Sequence, residues 1–318
     1  MRFRNAFKIL TANFSLVYKQ LLYRVIVGVV FFSLSYVILR LGMDVIMQSA
    51  EMDALKSHAL DFIRSLFGAG SAPMETVQAE LQEAFRSLGS LIGEHIGSIV
   101  GSIIGVCLLY LVSRFVNGLC VFALANILND RMSEFARTRF PAAFFKSAGS
   151  AMLYQVIYVP LVFIYDVLSL VACWFFFFYA PSFLPDWGVM KVLVAIALAV
   201  SAFIFLEALK MTFISAWMPS MIEGGKRAGE AMRVSFCAKK NFWGRFSGFL
   251  VSVFVIVAVN VCAVFFTFGS GLFLTIPASF LLLLCLQFVN YYEDNGKKYY
   301  VSFSKIEGGD DIPETLGE

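Results

Sequence analysis

Four charged residues lie inside long apolar stretches of the sequence: Arg114, Asp166, Glu207 and Lys210. In the hydrocarbon core of a membrane an unpaired charge costs between about 2.5 and more than 10 kcal/mol, so opposite charges at similar depth are expected to pair. Arg114 and Asp166 lie near the midpoints of their stretches. This midplane charge cluster predicts that Arg114 lies within salt-bridge reach of Asp166 or Glu207. It indicates either a pathway for a polar solute or proton, or a buried ion pair that fixes helix register.

A second pattern is a series of five glycines at a strict spacing of four, which we term the glycine ladder: Gly89, Gly93, Gly97, Gly101 and Gly105. Glycines four residues apart leave a shallow groove on a helix face, where another helix backbone can approach closely. We interpret the ladder as a helix-packing groove of the glycine-zipper type. It predicts a tight contact within the chain. A seam between two copies of the chain is the alternative, and a pore lining is a third.

Patterns typical of enzymes and metal sites are missing from the sequence. The histidines, His58 and His95, have no cysteine or histidine at ligand spacing, and the six cysteines form no close pair. The run Gly224, Gly225 and Lys226 lacks the upstream glycine and the following serine or threonine of a phosphate loop. The sequence therefore predicts no enzymatic activity, no catalytic residue, no metal and no cofactor.

The charged residues need membrane helices to position them. Hydrophobic residues make up 59% of the 318 positions and charged residues 15%, whereas soluble domains are about half apolar and about a quarter charged. A span needs roughly 20 mostly apolar residues, and only helices or closed barrels satisfy the backbone in lipid. Six apolar blocks without strand-like alternation cover residues 21–42, 96–125, 151–179, 189–217, 248–268 and 272–291. The sequence predicts an all-α integral membrane bundle of about six transmembrane helices.

The distribution of positive charge predicts the orientation. Eighteen lysines and arginines lie beside the spans on one side and four on the other. Because cytoplasmic segments carry an excess of Lys and Arg, both termini are expected in the cytoplasm. The connection between the fifth and sixth spans, residues 269–271, is short enough to predict a tight hairpin.

The segments outside the spans are mostly helical in pattern. Residues 43–95, with eight acids and three bases, repeat apolar side chains at helical spacing on either side of a Gly/Ala/Pro break, which predicts an exterior helical hairpin. Short basic amphipathic helices are expected on the cytoplasmic side, where Lys and Arg are attracted to anionic lipid. We expect one membrane domain over 1–306 and a disordered cytoplasmic tail over 307–318, which is polar and acidic.

A run near the end of the fourth span resembles known membrane proteins. Its residues extend from Ala216 to Gly225 and continue at Ala231, Ser235, Lys240, Asn241, Phe242, Trp243 and Phe246. They resemble a segment of uncharacterised bacterial multi-pass membrane proteins and of the membrane-anchoring half of some glycerophosphodiester phosphodiesterases. The similarity covers some thirty residues. It implies a multi-pass architecture in a bacterial cytoplasmic membrane and transfers no enzymatic residue.

Two functional hypotheses follow from these patterns. The first is a non-catalytic, membrane-embedded scaffold or lipid-associated factor, with membrane lipid as its partner. A second copy of the chain or another membrane protein is a further partner to consider, and nucleic acid is not expected. The alternative is a transporter or channel for a small solute that uses the midplane charge cluster. A broken helix pair or a midplane cavity would favour transport.

Overall fold

The computed structural model describes residues 2–66, 74–183, 189–237, 241–302 and 305–307. Within these ranges, six helices are long and apolar enough to cross a membrane, by length and composition. At 1.5 Å per residue each exceeds the length needed for the hydrocarbon core. They cover Ser15–Asp44, Ile96–Ser133, Phe140–Phe178, Met190–Ile222, Phe242–Thr267 and Leu272–Asp294. The predicted all-α membrane bundle with six spans is confirmed.

The elements follow one another in a simple order. The helices are α1 (Arg2–Ala12), α2 (Ser15–Met47), α3 (Ala50–Leu66), α4 (Met74–Glu94), α5 (Ile96–Ser133), α6 (Phe140–Phe178), α7 (Val189–Ile214), α8 (Trp217–Ile222), α9 (Ala228–Cys237), α10 (Phe242–Thr267) and α11 (Leu272–Asp294). A short 3₁₀ turn, Ala180–Phe183, follows α6. Strands β1 (Tyr299–Ser302) and β2 (Lys305–Glu307) form an antiparallel hairpin.

The chain divides into two compact units, and one membrane domain over 1–306 stays a prediction. Unit 1 comprises Met1–Val25 and Phe115–Glu318, and unit 2 comprises Ile26–Arg114. Helices α2 and α5 each contribute residues to both units. Each unit is described separately below.

The core of unit 1 forms around the second half of α11. From Leu284 to Tyr292 each residue of that helix is buried, as expected for a helix surrounded by others. Trp217 of α8 is fully buried, donates a hydrogen bond from Nε1 to the Ala228 carbonyl at 2.9 Å, and packs edge-on against Tyr154. Because the indole N–H has a partner, this large side chain is buried without an unsatisfied donor.

The end of unit 1 that carries the N-terminus is covered by small elements that we call the terminal cap: α1, α8, α9 and the β-hairpin. Helix α1 is amphipathic and packs its buried face against α11 and β1. This confirms the expected amphipathic helix at the start of the chain. The β-hairpin was not predicted, and its Tyr299 is fully buried. Of the tail predicted as disordered, Glu307 belongs to β2, and residues 308–318 lie outside the described part of the chain.

The short connection between α10 and α11 also agrees with the prediction. Helix α10 ends at Thr267 and α11 begins at Leu272. The turn between them uses the left-handed backbone region at Phe268 (φ 48°) and at Gly269 (φ 84°). Glycine adopts this conformation without strain, whereas phenylalanine rarely does.

Unit 2 contains the predicted helical hairpin. Helices α3 and α4 pack against each other, with Ala84 and Leu88 buried and His58 Nδ1 3.3 Å from Glu80 Oε2. The predicted break falls on residues 67–73, which lie outside the described residues. Only His95 separates α4 from α5. The hairpin architecture is confirmed, and its exterior location stays a prediction.

The glycine ladder does not form the continuous intramolecular groove that we expected. A methyl group added at Gly89, Gly93, Gly97 or Gly101 meets no described atom within 4 Å, whereas at Gly105 it would lie 3.2 Å from Ile38 Cγ2. The reason is geometric. Four residues turn about 400° around a helix, so each glycine points about 40° away from the direction of the previous one. The first and last glycines of the ladder therefore face nearly opposite directions. A seam between copies of the chain remains a prediction.

Close helix packing in unit 2 instead involves Gly42 of α2. A methyl group there would overlap the hydroxyl of Ser102 on α5 and lie 3.1 Å from the Ser98 carbonyl. The Ser98 hydroxyl also points to the Gly42 carbonyl at 3.5 Å. The close contact therefore joins a glycine on one helix to serines on the other, as is common where membrane helices meet.

We expect Gly42→Leu to destabilise the protein by about 1–3 kcal/mol, the usual cost of overpacking. The added side chain would push α2 away from α5 and remove dispersion contacts. The matched control is Gly101→Leu, for which the structure shows open space. Thermal unfolding in detergent measures both. Equal melting temperatures for the two variants would contradict the assigned contact.

Candidate functional site

Three of the four predicted midplane charges form an ion triad in unit 1: Asp166, Glu207 and Lys210. Lys210 Nζ lies 2.8 Å from Asp166 Oδ1 on α6 and 2.6 Å from Glu207 Oε1, one helical turn away on α7. The Lys210 side chain is only 10% exposed. At these distances both contacts are charge-assisted hydrogen bonds, which are the stronger kind. The triad joins α6 to α7 inside two membrane spans.

Lys210, which was not the cation that we predicted to pair with the acids, contacts both of them. Arg114 belongs to unit 2 and is half-buried, so its pairing with Asp166 or Glu207 stays a prediction. The sequence favoured Arg114 as the partner of these acids because it lies near the middle of its apolar block, at a similar predicted depth in the membrane. The packing of α6 against α7 brings Lys210 to the same two acids.

A groove of about 290 Å³ borders Lys210 and is lined mainly by apolar side chains. They come from α6, α7 and α9 and include Leu161, Ile164, Leu168, Phe213 and Phe236. Tyr165 also borders the groove, and its hydroxyl donates to the Leu206 carbonyl at 2.7 Å. An apolar lining suits hydrocarbon and offers a polar solute few partners.

A dense polar network fixes the terminal cap to the membrane helices. Arg2 of α1 contacts Glu293 Oε2 and Asp294 Oδ1, both at 2.7 Å, and donates to Asn290 at 3.1 Å. Asp294 Oδ2 also lies 3.5 Å from Nε of Arg245, whose side chain is 2% exposed. These contacts join the first residues of the chain to the end of α11, where opposite charges compensate one another away from water.

The β-hairpin is tied into the same network through Tyr299. Its hydroxyl accepts a hydrogen bond from Asn5 Nδ2 and donates to Glu293 Oε1, each at 3.0 Å. Burial raises the pKa of Tyr299, and the charge of Glu293 raises that pKa further. The phenol therefore stays protonated at physiological pH and remains a donor to the carboxylate.

A second carboxylate, Glu223, follows α8 of the cap and connects it to α5 and to the segment after α11. Lys297 Nζ lies 2.8 Å from its Oε1, and Asn129 Nδ2 donates to its Oε2 at 3.1 Å. The Tyr292 hydroxyl in turn donates to Asn129 Oδ1 at 3.1 Å. Burial acts to raise the pKa of Glu223, but hydrogen bonds from Lys297 and Asn129 outweigh it, so the pKa lies below the usual glutamate range.

This depressed pKa predicts how stability depends on pH. A group whose pKa is lower in the folded than in the unfolded state stabilises the fold above its unfolded pKa, and that stabilisation is lost as pH falls through the folded value. We expect the wild type to lose more stability than Glu223→Gln between about pH 5 and pH 3. Thermal unfolding in detergent across this range tests it. Parallel pH profiles for the two proteins would contradict the role of Glu223.

The cap also encloses a polar cavity of about 400 Å³, which we call the basic cavity. Its polar lining comes from three distant segments of the chain: Asn13, Ser15, Arg131, Arg137, Tyr300 and Ser302. Among the described residues, the lining contains two guanidinium groups and no carboxylate. Arg131 Nη1 contacts Asn13 Oδ1, and the Arg131 Nε is buried without a hydrogen-bond partner in the described part of the protein.

The sequence predicted the ion triad residues and an amphipathic helix at the start of the chain, and it missed the β-hairpin, the polar network of the cap and the basic cavity. Glu223, Glu293 and Asp294 carried a usable signal, because they are acids beside the ends of spans on the strongly basic side of the chain. The described residues contain no group of three or more His, Cys, Asp or Glu that could hold a metal ion. Comparison with protein families, curated proteins and solved structures finds no match.

Proposed function

We propose that this chain is a non-catalytic membrane protein that acts as a lipid-associated factor or membrane-embedded scaffold, with its terminal cap on the cytoplasmic face of a bacterial cell membrane. The observation that carries the proposal is the outward surface of the cap, where basic and aromatic side chains alternate. Such surfaces are typical of helices that lie in the membrane interface and contact anionic lipid.

Helix α1 shows this arrangement most clearly. One face, with Ala6, Ile9 and Leu10, is buried against the rest of unit 1. The other face exposes Arg4 and Lys8, together with Phe7 at 49% exposure. Since its apolar face is already covered by protein, the exposed phenylalanine and the two cations are free to meet lipid headgroups.

Helix α9 and the starts of two spans beside the cap continue the pattern. Tyr18 and Lys19 are exposed at the start of α2, and α9 exposes Arg233 beside Phe236. Trp243, at the start of α10, is 77% exposed. Aromatic side chains of this kind are enriched where a protein crosses from hydrocarbon to headgroups. The exposed face therefore supports contact with lipid over contact with a soluble polyanion.

Anionic lipid should stabilise the purified full-length protein. We expect its melting temperature to be higher in nanodiscs that contain phosphatidylglycerol than in nanodiscs of phosphatidylcholine. The double variant Arg4→Gln, Lys8→Gln should lose most of this difference, because each interfacial cation contributes roughly 1 kcal/mol. A matched double variant in unit 2, Lys56→Gln with Arg86→Gln, should keep it. A wild type without preference for the anionic lipid would overturn the proposal.

The proposed orientation is tested by cysteine labelling in intact cells. In a background without the six native cysteines, Ser57→Cys on α3 should react with an impermeant maleimide, and Glu230→Cys on α9 should react only after the membrane is opened. Both positions are exposed, so accessibility reports the side of the membrane. Labelling of Glu230→Cys alone in intact cells would invert the topology.

Transport of a small solute is the second candidate, and the ion triad favours it because charge within a span often marks a pathway. The apolar groove beside Lys210 supports the lipid-associated role instead. Measuring the flux of radiolabelled cations or amino acids into proteoliposomes distinguishes transport from the lipid-associated role. A flux that disappears when Asp166 and Lys210 are both neutralised in a folded variant would favour transport.

A further inference from the structure

The basic cavity has the composition of an anion site. Arg131 and Arg137 both border it, and the like charge of Arg137 acts on Arg131. Two guanidinium groups that share a cavity without a carboxylate repel each other, so a bound anion would relieve that repulsion. Neither arginine makes an ion pair among the described residues. Asp130, the acid next to Arg131 in sequence, accepts a hydrogen bond from Thr138.

Surrounding residues hold the two arginines in place. The Asn13 amide donates from Nδ2 to the Ile9 carbonyl at 2.8 Å, which turns its Oδ1 toward Arg131. The loop that carries Arg137 is closed by a hydrogen bond from the Ala136 amide to the Asp130 carbonyl at 3.0 Å. Within that loop Phe135 adopts a left-handed backbone (φ 55°), a strain that tends to concentrate at functional sites.

The remaining lining suits a phosphorylated ligand of limited size. Ser15 and Ser302 add hydroxyl groups, and the ring of Tyr300 packs against that of Phe135 with centroids 5.7 Å apart. Guanidinium groups match phosphate oxygens in geometry and bind them through paired hydrogen bonds. The volume of about 400 Å³ lies within the range of small-molecule sites.

We propose that the basic cavity binds a phosphate group through Arg131 and Arg137. This inference rests on the proposed association with anionic lipid and names the chemistry that the cap recognises. The phosphate group can belong to a lipid headgroup or to a water-soluble phosphate monoester, since both present the same oxygens to the two arginines.

Binding is measured with the full-length protein in phosphatidylcholine nanodiscs. Glycerol 3-phosphate and inorganic phosphate probe the soluble source, and nanodiscs that contain phosphatidic acid probe the lipid source. Arg137 is exposed, so Arg137→Gln should fold normally and weaken binding by about tenfold or more, because it loses a charge-assisted hydrogen bond. Arg86→Gln removes an exposed arginine in unit 2, outside the cap, and should bind like the wild type.

The outcomes separate the two proposals. The site is supported, and its phosphate source identified, if Arg137→Gln weakens the binding of either phosphate source and Arg86→Gln does not. The site is overturned if the wild type binds none of these phosphates, if Arg137→Gln binds as the wild type does, or if both variants lose the same affinity. If the wild type still prefers phosphatidylglycerol in those cases, the lipid-associated function stands without this cavity.

Discussion

Lys210→Met is expected to destabilise the protein by about 3 kcal/mol or more. The substitution keeps the shape of the side chain and removes the cation that Asp166 and Glu207 share at 2.8 and 2.6 Å. Removing one partner of a buried ion pair typically costs about 3–5 kcal/mol, because the surviving charge is left uncompensated. Unfolding in detergent, by heat or by sodium dodecyl sulfate titration, measures the loss.

A rescue variant shows whether the loss arises from charge. The triple substitution Asp166→Asn, Glu207→Gln, Lys210→Met removes all three charges of the ion triad and should recover most of the stability. Lys146→Met is the matched control, because Lys146 is exposed on α6. A Lys210→Met protein as stable as this control would show that the triad contributes little to the fold.

The triple variant also distinguishes the functional hypotheses. If the triad only fixes the register of α6 against α7, a folded triple variant keeps the activity of the protein in cells. If the triad lines a pathway, the triple variant folds but loses the activity of the protein in cells. The apolar groove beside Lys210 leads us to expect the first outcome.

Asp294→Leu is expected to have a comparable effect at the other end of unit 1. This carboxylate contacts Arg2 at 2.7 Å and the almost fully buried Arg245 at 3.5 Å. Its removal leaves Arg245 without that counter-charge in a buried position, which costs about 3 kcal/mol. Amide hydrogen exchange should also become faster in α1, because Arg2 loses one of its anchors.

The double variant Asp294→Leu, Arg245→Met should restore much of the stability lost by the single one. Glu307→Gln is the control, since its partner Lys305 is 43% exposed and surface pairs contribute about 1 kcal/mol or less. Unchanged exchange rates in α1 would contradict the role of Asp294 in holding the cap.

Local patterns predicted the secondary structure well, and long-range contacts limited the prediction of the sites. The six spans followed from apolar length alone, a property that each segment carries by itself. The glycine ladder leaves open space at four of its five positions, because a one-dimensional spacing does not say which helix face meets a neighbour, and Gly42 provides the close contact in unit 2. The β-hairpin was missed because the burial that supports Tyr299 comes from α1, almost 300 positions earlier in the chain.

The sequence by itself therefore determined the membrane character, the number of spans, the helical hairpin in unit 2 and the presence of charge inside the spans. Hydrophobic length and local periodicity fix these features, because water and hydrocarbon act on every segment separately. The tertiary structure alone showed that Lys210 contacts both Asp166 and Glu207, and where the basic cavity forms. Ion pairing and cavity shape depend on side chains a few ångströms apart in space, and segments such as Asn13, Arg131 and Ser302 meet only after the chain has folded.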